Sequence, residues 1–169
     1  MADKAVAGIN TQILLDKIKT SMNGNYSLTP AALGSSSGDG WIYAEKDVTT
    51  SSADLLGTTE DFLGSVTGAG NIVAGDKIPW IAIKHTGTTD GSTATSEGIM
   101  LSLVVGGTAA YNLADGIFLG KNELIVLKIP NVTVADLHAI TVTSSGGKPT
   151  SAGSGSVRVR VAAVITNVS

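Results

Sequence analysis

The sequence contains no cysteine, which removes disulfide staples, thiolate metal sites and cysteine nucleophiles together. Aromatic side chains are scarce, with two Phe, two Trp and three Tyr. A platform on which sugars or bases stack would consume most of them, and a core has first claim. Charge is thin as well: 15% of residues are Asp, Glu, Lys or Arg, summing to −3, against about a quarter in ordinary domains. The 11 Lys and Arg are scattered, so the basic stripe interleaved with aromatics that marks a nucleic-acid binder is missing. The apolar uncharged stretch 99–114 is broken by Ser102, Gly106, Gly107, Thr108 and Asn112 and falls short of the ~20 apolar residues of a spanning helix. No membrane segment is expected. The opening residues, with Asp3 and no apolar block behind it, do not read as a secretory leader, which points to synthesis in a cytoplasm.

What is present is 169 residues, 43% hydrophobic, with 21 Gly and 36 Ser plus Thr. That length suits one domain burying roughly 70% of its unfolded surface, and the hydropathy argues against disorder. Residues 1–22 sum to +1, 39–115 to −7 and 121–169 to +3. Such polarity fits head-to-side packing of copies as well as ordinary solvated faces.

In the first 22 residues Val6, Ile9, Ile13, Ile18 and Met22 recur at intervals of three to five, with Leu14 beside them and Asp16, Lys17 and Lys19 elsewhere. This spacing predicts an amphipathic helix, capped by Asn10 or Thr11 and stopped at Asn23–Gly24. Residues 1–24 are thus expected as a helical arm. Residues 25–40, with Pro30, a Ser35–Ser36–Ser37 run and Gly38–Asp39–Gly40, are expected as a linker, and 41–169 as the body.

From Trp41 onward the hydrophobic period is two. Strands are expected at 41–49, 61–67, 78–85, 98–105, 117–119, 123–129, 137–143 and 156–165, separated by Gly-rich or Asn/Asp-containing turns. Pro79 opens its strand and Pro130 ends one. The fold class is therefore mainly β: an antiparallel, jelly-roll-like sandwich of about eight strands, carrying the helical arm. Val157, Val159 and Val161 alternate with Arg158 and Arg160, so the arginines face solvent or a partner. Residues 124–127 and 99–103 are apolar on both parities and should be covered on both sides, by the core and by a neighbouring subunit or the helix. Self-assembly follows, with Ile9, Ile13, Leu14, Ile18, Met22, Arg158 and Arg160 as candidate contact residues.

Catalytic patterns are weak. His85 and His138 have no second ligand at metal spacing and read as structural or surface residues. With 17 Ser a Ser–His–Asp triad is easily imagined, but nothing presents a nucleophile on a strand-to-helix elbow. Two carboxylate pairs occur, Glu60–Asp61 and Glu45 with Asp47; the second lies at i, i+2 on one strand face, a geometry that a glycosidase or calcium site uses, but on a Thr/Ser-rich strand it reads first as a solvated acidic edge. Asp90 lacks the Asp-x-Asp-x-Asp-Gly spacing and reads as a turn. Gly68–Ala69–Gly70 and Gly146–Gly147 read as turn glycines, without the helix a phosphate cradle needs. Neither enzyme activity nor a cofactor or metal is expected.

The run 107–119, continuing through 123–130 to 134–140, together with 80–90 and 157–165, resembles small virion structural proteins of tailed bacteriophages, especially those of cyanobacterial and marine hosts. The likeness covers about half the chain and is one of texture. It implies a capsid decoration, or cement, protein on the outer head surface, bridging major capsid proteins as a homo-oligomer with a trimer favoured. It implies no catalytic residues and no nucleic-acid or membrane partner. A tail, baseplate or fibre-attachment protein is the alternative within that class. A carbohydrate-binding jelly roll would show exposed aromatics in a groove, and an acid–base enzyme a cleft between Glu45, Asp47 and Glu60.

Overall fold

The computed structural model describes residues 5–15, 18–28, 39–57 and 72–166. The expected strand 61–67, the acid pair Glu60–Asp61 and most of the expected linker lie outside them. The chain divides into two compact units, Met1–Ala31 and Ala32–Ser169.

In the first unit the expected helix is replaced by a hairpin. Strands β1 (Ala5–Leu15) and β2 (Ile18–Leu28) pair antiparallel from Ala5↔Leu28 to Leu15↔Ile18 without a register break. The reason lies in the spacing itself. An interval of four satisfies a helical face and, being even, a strand face too. Gly8, Asn10, Asn23 and Gly24 disfavour a helix, while Val6, Ile9, Thr11, Ile13, Ile18 and Thr20 favour extended backbone. The linker expected over 25–40 is also shorter than read, since β2 runs to Leu28 and the next strand begins at Asp39.

The second unit holds β3 (Asp39–Val48), β4 (Ala53–Asp54), β5 (Lys77–His85), β6 (Gly98–Ser102), β7 (Ile117–Leu119), β8 (Leu124–Thr133), β9 (His138–Ser145), β10 (Lys148–Ala152) and β11 (Val157–Thr166). All pairings are antiparallel. One sheet runs β3-β11-β5-β8; the other runs β10-β9-β6-β7, with β4 also on β9. Both sheets feed one hydrophobic core. Ile42, Ile81, Ile83, Val159, Val161 and Ala163 come from the first, and Ile99, Leu101, Leu119 and Ala139 from the second. The alternation read in the last strand is seen directly: Val157, Val159, Val161, Ala163 and Ile165 are fully buried while Arg160 is exposed.

Three local features depart from expectation. Strand β8 does not stop at Pro130 but continues to Thr133. Among the described residues it is a sheet edge, where a missing N–H costs no ladder bond, and its register with β5 shifts between Lys77↔Thr133 and Ile78↔Ile129. Residues 144–155, read as a turn, contain β10, because Gly146 (φ +61°) and Gly147 (φ +75°) make a two-residue hairpin turn of the primed kind. Strand β6 is buried along its whole length, as a strand covered on both sides should be, but β8 is not: Leu124 is 60% exposed. Among the described residues no helix is long and apolar enough to cross a membrane.

Candidate interaction surface

The outer face of the β3-β11-β5-β8 sheet is built in cross-strand rows. One row reads Glu45, Arg160, Lys84, Leu124, and the next Tyr43, Ala162, Ala82, Val126. The two arginines expected to face solvent or a partner are occupied within their own sheet. Arg158 Nε and Nη2 donate to Asp47 Oδ1 and Oδ2 at 2.7 and 2.9 Å, and Arg160 Nε donates to Glu45 Oε1 at 2.9 Å. The guanidinium fork matches the carboxylate in two parallel bonds, and it holds the Asp47 carboxyl below its usual range and raises Arg158. Glu45 and Asp47 are thus neutralised in place rather than gathered as an acid–base pair or a cation site. Lys84 Nζ is tied to the Asn122 carbonyl. What this face offers beyond its ion pairs is Tyr43, 52% exposed, the apolar row leading from it to Val126, and Leu124 at the end of the charged row.

In the other sheet, residues 103–116 link β6 to β7 as a long connection, of the length that usually carries function. Gly107 N donates to Val104 O at 2.8 Å, closing a turn with Gly106 at φ +62°. Val105 stands at the apex, 81% exposed. The turn is anchored from below: Gly106 N donates to Asp136 Oδ1 at 3.1 Å, and Thr133 Oγ1 donates to Asp136 Oδ2 at 2.5 Å. The Thr133 bond is the main reason the Asp136 carboxyl is held below its usual range, against the cost of burial. Ala109 N donates to Ser52 Oγ at 2.8 Å further along. An apolar tip on a fixed base is suited to contact.

Of the candidate contact residues near the N-terminus, the pairing register puts Ile9 and Ile13 of β1, and Ile18 and Met22 of β2, at positions of one face, and Leu14, opposite Lys19, at the other. Their side chains lie outside the described residues.

The histidines have structural partners. His85 is fully buried; Gly87 N donates to its Nδ1 at 2.9 Å, so Nε2 carries the proton and donates to Glu97 O at 2.9 Å. Burial lowers its pKa. His138 Nε2 lies 3.1 Å from Asp54 Oδ1, and Ser102 stands opposite His138 on its other flank. That row collects the residue types of a triad, but Ser102 is fully buried and its Oγ accepts from Val104 N, so the row has no accessible nucleophile. Glu97 is buried and accepts from Ser154 N at 2.6 Å, Ser154 Oγ at 2.8 Å and Gly155 N at 3.1 Å. Burial opposes its charge, yet these bonds outweigh it and keep the carboxyl below its usual range. Asp90 is a turn residue, accepting from Ser92 N and Thr93 N at 2.8 and 2.7 Å.

Among the described residues no three His, Asp or Glu are grouped as a metal ion would need. A cleft of about 120 Å3 lined by Asp47, Asp54, Val48 and Leu55 is small beside the roughly 300–1,000 Å3 of small-molecule sites. Trp41 and Trp80 meet edge to face, with centroids 5.8 Å apart, and Trp80 is buried rather than presented to a ligand. Set against protein-family models, curated proteins and solved structures, the chain has no match in any of the three. Sequence reasoning missed Glu97, whose partners Ser154 and Gly155 lie far along the chain, and Asp136, which joins its near neighbour Thr133 to the distant Gly106.

Proposed function

We propose that this protein is a viral structural protein, a decoration subunit that binds the outer surface of a tailed-phage head and bridges major capsid proteins. On this reading the two sheets close as a jelly-roll-like sandwich, and the subunit works as a homo-oligomer, a trimer in the arrangement the phage resemblance suggests. The observation that carries the proposal is the distribution of apolar surface. A well-buried core coexists with Val104, Val105, Tyr111, Tyr43 and Leu124 left exposed, while the carboxylates Glu45, Asp47, Glu97 and Asp136 are engaged in internal contacts. Such a surface serves area burial. Contacts of roughly 25 cal/mol per Å2 of apolar area, repeated over many copies, hold a shell even when each is weak.

The test is occupancy. Purified full-length protein is added to heads lacking it, from the phage that encodes it, and particles are imaged by electron microscopy. Density on the shell at regular positions is the expected result. Label on tails alone transfers the protein to the tail or baseplate, and particles without label overturn the proposal.

A further inference from the structure

We propose that the protein pairs with a second copy of itself through β8, edge to edge and antiparallel, about a two-fold axis at Val126. The proposal deepens the self-association in the role above by adding a two-fold contact between copies that belong to different trimers, and it is tested without any particle.

A sheet edge carries unpaired backbone groups, and proteins blunt long edges with charge, proline or brevity. The other ends of the two sheets are blunted. Strand β7 has three residues and β4 two, and β10 carries Pro149. Strand β3 is as long as β8, but it carries Glu45, Lys46 and Asp47 in succession, and Lys46 shares the parity of the buried Ile42 and Val48. A charge on the core-facing parity of an edge deters pairing. Strand β8 opens with Leu124, Ile125, Val126 and Leu127, uncharged and apolar on both faces.

The hydrogen bonding of β5 tells which groups of β8 point outward. His85 N donates to Glu123 O at 2.9 Å, and the register continues Lys84↔Leu124, Ile83↔Ile125, Ala82↔Val126. Backbone groups alternate sides along an antiparallel strand, so those of Glu123, Ile125 and Leu127 turn to β5 and those of Leu124 and Val126 turn away from it.

Two breakers then fix the register. Asn122 has φ 64°, in the left-handed turn region, and Pro130 has no N–H to donate. The pairable window between them is 123–129, and its midpoint is Val126. Centred there, Glu123 faces Ile129, Leu124 faces Lys128, Ile125 faces Leu127, and Val126 faces itself, with no like charges opposed. Centring on Lys128 would set two lysines against each other. The same register joins the outer row Tyr43, Ala162, Ala82, Val126 to its counterpart, giving one uninterrupted sheet across both copies.

The chain has no cysteine, so one introduced thiol reports without background. Directly opposite residues of a hydrogen-bonded pair have Cα atoms about 5.5 Å apart, within the range a disulfide spans. In the full-length protein, Val126→Cys is expected to form a disulfide-linked dimer on mild oxidation. Its rate should be roughly tenfold or more above that of Leu124→Cys, which faces Lys128 of the second copy, because pairing raises the local thiol concentration. Light scattering should give a mass that is an even multiple of the chain, falling on Val126→Lys. A wild-type protein that is monomeric or an isolated trimer, or cross-linking of Val126→Cys no faster than of Leu124→Cys, overturns the pairing. Faster linkage at Glu45→Cys would assign the contact to β3 and also overturn it. Any of these failures leaves capsid binding to be decided by the occupancy experiment.

Discussion

Arg158 grips Asp47 with two parallel hydrogen bonds, Nε to Oδ1 and Nη2 to Oδ2, across adjacent strands whose register sets the two residues directly opposite. The outer face of the sheet is therefore already paired within the subunit, and a partner approaching it meets neutralised rows. The arrangement is specific to the guanidinium fork, which lysine cannot reproduce. In Arg158→Lys the Asp47 carboxyl is expected to titrate at higher pH than in the wild type, because its strongest stabilising bond is lost. Carboxyl NMR titration checks this, and an unchanged midpoint would refute the assignment. Thermal stability should change little, as for other exposed pairs.

His85 sets an acid limit on the fold. Burial lowers its folded pKa below the ordinary 6.5, so the unfolded chain takes up the proton first. The stability contributed by the neutral ring is complete above about pH 6.5 and is lost as pH falls through the folded pKa. Protonation would also set an N–H at Nδ1 against the Gly87 N–H that it now accepts. Urea unfolding midpoints should therefore decline from pH 7 towards pH 5, and His85→Gln should flatten that decline. The depressed carboxyls Glu97 and Asp136 begin to lose their contribution at lower pH than His85, below their ordinary 4.5 and 3.8.

Glu97 secures the segment before β11 to the start of β6. Glu97→Gln removes a charged acceptor from the Ser154 and Gly155 amides in a buried setting. The expected cost is about 1–3 kcal/mol, the range for leaving such donors poorly satisfied, read by chemical denaturation with an unchanged m-value. Amide exchange at Ser154 and Gly155 should quicken in parallel.

Leu101 and Leu124 separate core from contact surface. Leu101 is fully buried in the shared core and Leu124 is mostly exposed. Leu101→Ala should cost about 2–5 kcal/mol of folding stability. Leu124→Ala should fall within roughly 0.5 kcal/mol in the dissociated subunit while weakening self-association, measured by sedimentation. Equal effects on folding would mean that Leu124 is not a surface residue.

Where one physical signal dominated, the strands were legible in the sequence. Alternating Val and Arg located β11, and Pro79 correctly sat near the start of β5. Spacing alone misreads the N-terminal hairpin because intervals of four satisfy both periods; the helix-disfavouring Gly8, Asn10, Asn23 and Gly24 and the pairing from Ala5↔Leu28 inward distinguish them. Strand β10 was hidden because Lys148, Pro149, Thr150 and Ser151 are polar or proline and its partner β9 supplies the reason it is extended. The same holds for the site. Arg158 and Arg160 could be placed on an outer face, but their engagement with Asp47 and Glu45 depends on β3 lying beside β11. The apolar double face of Leu124 to Leu127 was visible, whereas its position at a sheet edge was a matter of topology.

Strand β11 lies between β3 and β5 although it follows both in the chain, with Trp41 facing Val164. During synthesis β3 therefore emerges from the ribosome long before β11, its neighbour in that sheet among the described residues, exists. Until the ribosome passes Val157, this strand must wait unpaired, exposed to chaperones or to stray association. The slow step in maturation should accordingly be the insertion of β11, and non-local closure of this kind belongs to the slower folding topologies.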